Sequence, residues 1–198
     1  VLGRIADRVC VGFVESVGAF PPGRAVHPGN PLRAGVLAAA RAGSPHPRPG
    51  LLVFGGSAGA RRVNQAVVEA LRALGADAHA LAIRHQTGVA DVDTVRAAYA
   101  ELGLQADVVP FLSDMGAAYA AADVVVARAG AMTCAEVAAV GLPAILVPYP
   151  YAADDHQRHN AGVLVAAGAA EMILDRDLTG ARLAATLRTI LHDPGRRT

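Results

Sequence analysis

From Leu51 to His192 the chain alternates short, mostly apolar runs with longer segments of helical period, and few folds accommodate that rhythm. The runs are Leu51–Phe54, Ala78–Ile83, Asp107–Val109, Asp123–Ala127, Ala144–Val147 and Ala170–Leu174. Helical spacing covers residues 60–74, 93–102, 115–122, 132–140, 157–168 and 178–192. Strands that lack polar alternation are buried on both faces, which predicts a parallel sheet with helices on either side. The expected fold class is therefore α/β, a parallel sheet with helices on both faces. In such sheets ligands sit beyond the carboxyl ends of the strands, where the strand order reverses.

Upstream, Arg8–Phe13 reads as a strand, residues 20–31 as a Pro- and Gly-rich linker, Arg33–Ala42 as a short helix and residues 43–50 as a loop. A first residue Val1, followed so soon by a strand, reads as a chain that begins inside a longer protein. The hydrophobic content of 53% with only 4% aromatics predicts a core of Ala, Val and Leu. Every one of the 18 basic residues is Arg. The absence of Lys excludes a P-loop lysine and Schiff-base chemistry within this sequence. A net charge of +1 gives no electrostatic case for nucleic acid. Cys10 and Cys134 read as small buried residues, not as a disulfide or a metal site. The stretch 116–127 is too short to cross a bilayer.

Three loops that follow strands carry the chemistry. In Leu51-Leu-Val-Phe-Gly-Gly-Ser-Ala-Gly-Ala60, a strand breaks into glycines and then a helix. Such a turn frees backbone N–H groups at a helix N-terminus and suits a phosphate or diphosphate. The same residues fit G-x-S-x-G, a hydrolase nucleophile elbow, but no oxyanion loop precedes them. The dinucleotide fingerprint fails on spacing, and the second strand ends in Arg84-His85 instead of an acid. The second loop is Arg128-Ala-Gly-Ala-Met-Thr-Cys-Ala-Glu136, opening another helix near Met132. Here Thr133 and Glu136 form a T-x-x-E capping box, or Glu136 offers its carboxylate to a ribose diol. Both readings stand open. The third loop, Pro148-Tyr-Pro-Tyr-Ala-Ala-Asp-Asp-His-Gln157, is rich in donors and acceptors suited to hydroxyls. In it Asp154 and Asp155 are alternatively helix caps.

Several motifs recur in fixed order: Gly29-Asn-Pro-Leu-Arg33, Gly55-Gly-Ser-Ala-Gly-Ala-Arg61, His85-Gln-Thr-Gly88 and Phe111-Leu-Ser-Asp-Met115. They continue with Ala122-Asp-Val-Val-Val-Ala-Arg-Ala-Gly-Ala131, Gly141-Leu-Pro143, Asp155-His-Gln157 and Asn160-Ala161. From about residue 5 onward this resembles the donor-binding half of the MurG-type UDP-N-acetylglucosamine transferases. The resemblance implies the C-terminal, Rossmann-like domain of a GT-B glycosyltransferase, spanning residues 33–198, with residues 1–32 ending an N-terminal acceptor domain and its linker. It implies transfer of N-acetylglucosamine from UDP-N-acetylglucosamine to lipid I, giving lipid II in peptidoglycan synthesis, without a cofactor. It further implies a peripheral place at the cytoplasmic face of the bacterial membrane, with membrane and lipid I met through the other half.

Carried over by position, the resemblance places Arg33 at the domain junction and Gly56 and Ser57 at the diphosphate. Phe111 and Leu112 fall at the uracil, Ala131, Met132, Thr133 and Glu136 at phosphate and ribose, and His156 and Gln157 at the sugar. The family's glycine-rich loop with its histidine, associated with the acceptor and the base, is not in this sequence, so no catalytic residue is assigned. The alternatives are a nucleotide-sugar-binding subunit served by a separate partner, and a GT-B relative with another acceptor. Of the remaining residues, His85 reads as ordering a loop, and Tyr99 and Tyr119 as lying on helix surfaces. Asp91-Val-Asp93 has the D-x-D form of a metal site, but its place before a helix makes Asp93 an N-cap. No metal is assigned.

Overall fold

The computed structural model describes residues 5–42, 48–56 and 60–193. Two short strands, β1 (Val9–Cys10) and β2 (Ala25–Val26), pair in parallel across a 3₁₀ segment at Val14–Ala19. Both differ from the sequence reading. Only two residues of the run 8–13 are strand, and the expected linker contains β2. Its extended backbone is fixed by Val9 N–H donating to Arg24 O and Val11 N–H to Val26 O. Helix α1 (Ala34–Ala42) follows.

The main sheet contains β3 (Gly50–Phe54), β4 (Ala82–Gln86), β5 (Ala106–Val109), β6 (Val124–Ala127), β7 (Ala144–Leu146) and β8 (Ala170–Met172). Its order is β5-β4-β3-β6-β7-β8, all parallel. The chain builds outward from β3 to β5, returns beside β3 with β6, and then builds the other way. Strand order thus reverses between β3 and β6. The helices are α2 (Arg61–Leu74), α3 (Val92–Glu101), α4 (Met115–Ala120), α5 (Ala131–Val140), α6 (His156–Ala166) and α7 (Gly180–His192).

Alternate strand residues feed two cores. Leu51, Val53, Val124, Val126 and Ile145 pack with α2, α3 and α7. Leu52, Phe54, Val125, Ala127 and Leu146 pack with α1, α4, α5 and α6. Each of these Leu, Val, Ile and Phe side chains contributes about 1.5–3 kcal/mol on burial. The doubly covered parallel sheet expected from the sequence is therefore present.

β4 begins later than its apolar run suggested, because Ala76–His79 forms a helical turn. Arg84, His85 and Gln86 consequently lie within the strand. His85 is fully buried; its Nδ1 is 2.7 Å from Tyr99 Oη and its Nε2 3.1 Å from Asn64 Oδ1. Asn64 Nδ2 donates to Thr87 O and to Asp91 Oδ2, each at 2.9 Å. Because those two partners only accept, the Asn64 oxygen must face His85, whose proton then sits on Nε2. The Tyr99 hydroxyl accordingly donates to Nδ1. Burial pulls the His85 pKa down to about 3, so the ring is neutral. Tyr99 is thus a core residue and not a surface one. Asp91, not Asp93, holds the N-cap position of α3, and it makes no side-chain cap bond because it receives Asn64 and Arg61 Nε (3.0 Å).

Helices α1 and α4 cross at Gly35 and Gly116. A methyl at Gly116 would stand 2.6 Å from the Gly35 carbonyl carbon and oxygen, whereas one at Gly35 would meet only the Gly116 Cα at 3.9 Å. This contact sets Arg33, ahead of α1, in the same cleft as Phe111 and Leu112, ahead of α4.

Two outcomes follow in urea denaturation. Gly116→Ala is expected to lose about 1–3 kcal/mol by overpacking. Gly35→Ala, on an exposed helix position with room for the methyl, should be neutral or gain up to about 1 kcal/mol. For His85 the unfolded chain binds more protons than the folded one between about pH 3 and 6.5. Its contribution is therefore complete above pH 6.5 and is lost as pH falls. Stability should drop from pH 6.5 to 5 by up to about 1.4 kcal/mol per unit from this group. His85→Gln should flatten that slope.

Candidate functional site

The sheet opens where its order reverses, at the carboxyl ends of β3 and β6. After β3 the chain turns through Gly55 and Gly56, the latter at φ 88°, a conformation that favours glycine. Gly55 N–H donates to Gln86 Oε1 (3.3 Å), and Gln86 Nε2 donates to Pro110 O (3.1 Å). One buried amide thus ties the glycine turn to the loop after β5. Ser57, together with Ala58 and Gly59, lies outside the described residues, so the elbow serine and the expected diphosphate serine have no structural account.

Ala60 and Gly130 occupy the N-cap positions of α2 and α5, and neither makes a side-chain cap bond. Helices α3 and α6 likewise lack a side-chain cap bond, whereas two others have one. Asp114 caps α4 by accepting from Ala117 N–H at 2.9 Å, and Thr179 caps α7 by accepting from Arg182 N–H at 3.2 Å. The helices flanking the reversal point therefore present first-turn N–H groups with no side-chain acceptor at the N-cap. That arrangement suits an anion.

A cleft of about 190 Å³ lies here. Of the expected site residues, Arg33, Gly56, Phe111, Leu112, Met132, Thr133 and Glu136 line it. Phe54, Gln86 and Met115 also line it and were missed by sequence reasoning. His85-Gln-Thr-Gly88 was a recognisable motif, but ending the second strand at Ile83 put Gln86 on the wrong side of the strand end. Ala131, His156 and Gln157 do not line the cleft. Ala131 opens α5, and its carbonyl accepts from Asn30 Nδ2 at 3.3 Å. His156 and Gln157 open α6, with Gln157 Oε1 accepting from Tyr149 N–H at 2.9 Å. Asp154 and Asp155 both take left-handed backbone (φ 50° and 52°), and Asp155, at the N-cap, makes no side-chain cap bond.

Glu136 is not part of a capping box. Gly130 holds the N-cap of α5, which puts Thr133 at the third helical position and Glu136 at the sixth. Its side chain is only 3% exposed. Oε1 accepts from Arg33 Nε (3.1 Å) and Nη2 (2.7 Å), while Oε2 accepts from the Tyr119 hydroxyl (3.1 Å). A carboxylate offers about four acceptor positions, so one remains on Oε2. Tyr119, expected on a surface, is buried, and burial first, then the Glu136 charge, raises its pKa well above the usual tyrosine range. It therefore remains a donor. Burial pushes the Cys134 thiol up to about 12, whereas Cys10, expected to be buried, is exposed on a two-residue strand.

Among known proteins, residues 50–197 match the glycosyltransferase family 28 C-terminal domain. A protein of Geotalea daltonii is 50% identical over 197 residues, 98% of this chain and 54% of its own length. It is named UDP-N-acetylglucosamine–N-acetylmuramyl-(pentapeptide) pyrophosphoryl-undecaprenol N-acetylglucosamine transferase. A protein of Anaeromyxobacter with the same name is 50% identical over 198 residues, 100% of this chain and 52% of its own. The crystal structure of Acinetobacter baumannii MurG superposes with a TM-score of 0.78 at 35% identity, covering 99% of this chain and 55% of that one. The chain spans about half the length of the curated relatives it matches. With the sheet order, the cleft and these likenesses in agreement, the chain belongs to the glycosyltransferase family 28 C-terminal domain family and has the fold of the donor-side half of a GT-B glycosyltransferase.

Proposed function

We propose that this chain is the donor-nucleotide half of an inverting transferase that moves N-acetylglucosamine from UDP-N-acetylglucosamine to lipid I in peptidoglycan synthesis. The observation that carries the reading is the buried Glu136 carboxylate, oriented by Tyr119 and Arg33, beside two helix N-termini without side-chain caps. The relatives' printed names support the donor and the acceptor class. On this reading Glu136 accepts from the ribose hydroxyls and Leu112 meets the uracil through its backbone. The diphosphate lies at Gly56, Ser57 and residues 131–133, and Gln157 with His156 faces the sugar.

The chemistry is a displacement at the anomeric carbon. The acceptor oxygen forms the new bond, the bond to the β-phosphate oxygen breaks, and that oxygen keeps the electron pair. Charge grows on UDP as it leaves, and N–H dipoles fixed beforehand at α2 and α5 stabilise it. The acceptor proton goes to a base supplied by the other half. We place the domain boundary at residue 33, which the packing of α1 on α4 and α5 supports. Among the described residues no helix is long and apolar enough to cross a membrane. The proposed location is peripheral, at the cytoplasmic face.

In titration calorimetry this chain should bind UDP at least tenfold more tightly than ADP or NAD; equal affinities would remove the case for UDP. Glu136→Gln should weaken UDP binding by about tenfold to a hundredfold, the worth of a charged hydrogen bond. Its melting temperature should barely move, since an amide can still bond to Arg33 and Tyr119.

Labelled UDP-N-acetylglucosamine with lipid I should give no product with this chain alone. Joining it to the N-terminal half of a relative should restore product. Transfer by the chain alone would place a base within it.

A further inference from the structure

Arg128 follows β6 directly and precedes the N-cap of α5, yet it does not line the cleft. Its side chain is 13% exposed. Nη1 donates to Asp175 Oδ1 at 2.6 Å and lies 3.3 and 3.2 Å from the carbonyl oxygens of Val147 and Pro148, where the loop after β7 begins. Its Cζ stands 5.5 Å from the centroid of the Tyr149 ring. Asp175, from the segment after β8, is held from its other side by Arg62. Arg62 Nε lies 3.0 Å from Asp175 Oδ2 and donates to its backbone carbonyl at 2.8 Å. Arg62 is in the first turn of α2.

The loop after β7 is also anchored at its far end. Tyr149 N–H donates to Gln157 Oε1, and Asn160 Nδ2, one turn further on, donates to Ala129 O at 3.0 Å. Ala129 is the neighbour of Arg128. Both ends of the loop thus hang on the residues that lead into α5. With its oxygen engaged by Tyr149 N–H, Gln157 has its Nε2 donors to offer an incoming hydroxyl, and the same Tyr149 carries the ring that stands against the Arg128 guanidinium.

We propose that Arg128, fixed by Asp175, is a positioning residue that seats the loop 148–157 against the N-terminus of α5 and thereby governs how the sugar of a nucleotide sugar is held. This rests on reading the cleft as a UDP-sugar site. The planar guanidinium reaches a carboxylate, two carbonyls and an aromatic face together; a lysine ammonium is a compact point charge on a flexible stem. Arg128→Lys therefore keeps the charge and loses the arrangement.

The test compares the affinities of UDP and UDP-N-acetylglucosamine for the unaltered chain, Arg128→Lys and Asp175→Asn, with the melting temperature of each. In both variants the UDP-sugar affinity should fall at least tenfold while UDP affinity falls less than threefold. Asp175→Asn, which keeps size and one acceptor, carries the same comparison if Arg128→Lys does not fold. A parallel loss for both ligands would show a merely structural role, and no loss for either would show no role; both overturn the proposal. Failure of the unaltered chain to bind UDP would instead count against the donor-site reading itself.

Discussion

The pairing of β3 with β6 is the contact on which the rest depends. Leu51 faces Val124, and the register runs through to Phe54 opposite Ala127. It is fixed at the amino end by reciprocal bonds: Gly50 N–H donates to Asp123 Oδ2 at 2.6 Å, and Asp123 N–H donates to Gly50 O at 2.7 Å. No side chain fits at Gly50, where a Cβ would run into the Ala121 carbonyl. A slip of one residue would turn every inward side chain of β3 to the opposite core. At the carboxyl end the same register brings the glycine turn level with the loop into α5, so two helix N-termini meet across one gap.

This centre of the sheet was easy to read because nothing polar interrupts it. Val124, Val125, Val126 and Ala127 are all fully buried, so a continuous apolar run could only be an inner strand. β4 was harder for a definite reason. Its carboxyl half, Arg84-His85-Gln86, carries polar groups whose partners lie far along the chain: Asp107 for Arg84, Tyr99 and Asn64 for His85, Gly55 and Pro110 for Gln86. A local pattern cannot register bonds made across 14 to 31 residues. The two tyrosines were misplaced by the same blindness, since each is buried to satisfy one polar partner. β1 and β2, at two residues each, are too short to show any period.

At the cleft, residue identity was legible but geometry was not. Motif order picked out Arg33, Gly56, the pair 111–112 and the start of α5. Glu136 left two readings open, because T-x-x-E has the same spacing whether or not it sits at the helix start. Three-dimensional partners decide against the cap: Arg33 comes from 103 residues away and Tyr119 from 17. Gln157 and Arg128 lie outside the cleft, and their partners in the loop after β7 could not be inferred from spacing.

The two oxygens of Glu136 are held in different ways, and that difference bears on how the cleft fills. Tyr119 is buried, and its bond to Oε2 is sheltered from water; removing it would leave a buried carboxylate short of a donor. Arg33 bonds to Oε1 from a side chain that is 56% exposed and can turn to water, but the carboxylate it would leave is only 3% exposed, so Oε1 must then find another donor. Under the proposed function, a ribose diol arriving at the cleft would be that donor, while Tyr119 keeps the carboxylate plane in place. Because Arg33 precedes α1 at the proposed domain boundary, that exchange would release a contact between the boundary segment and α5. Under the proposed function, donor binding and the release of Arg33 from α5 are then linked, because the buried carboxylate gives up one donor at Oε1 only as it gains another.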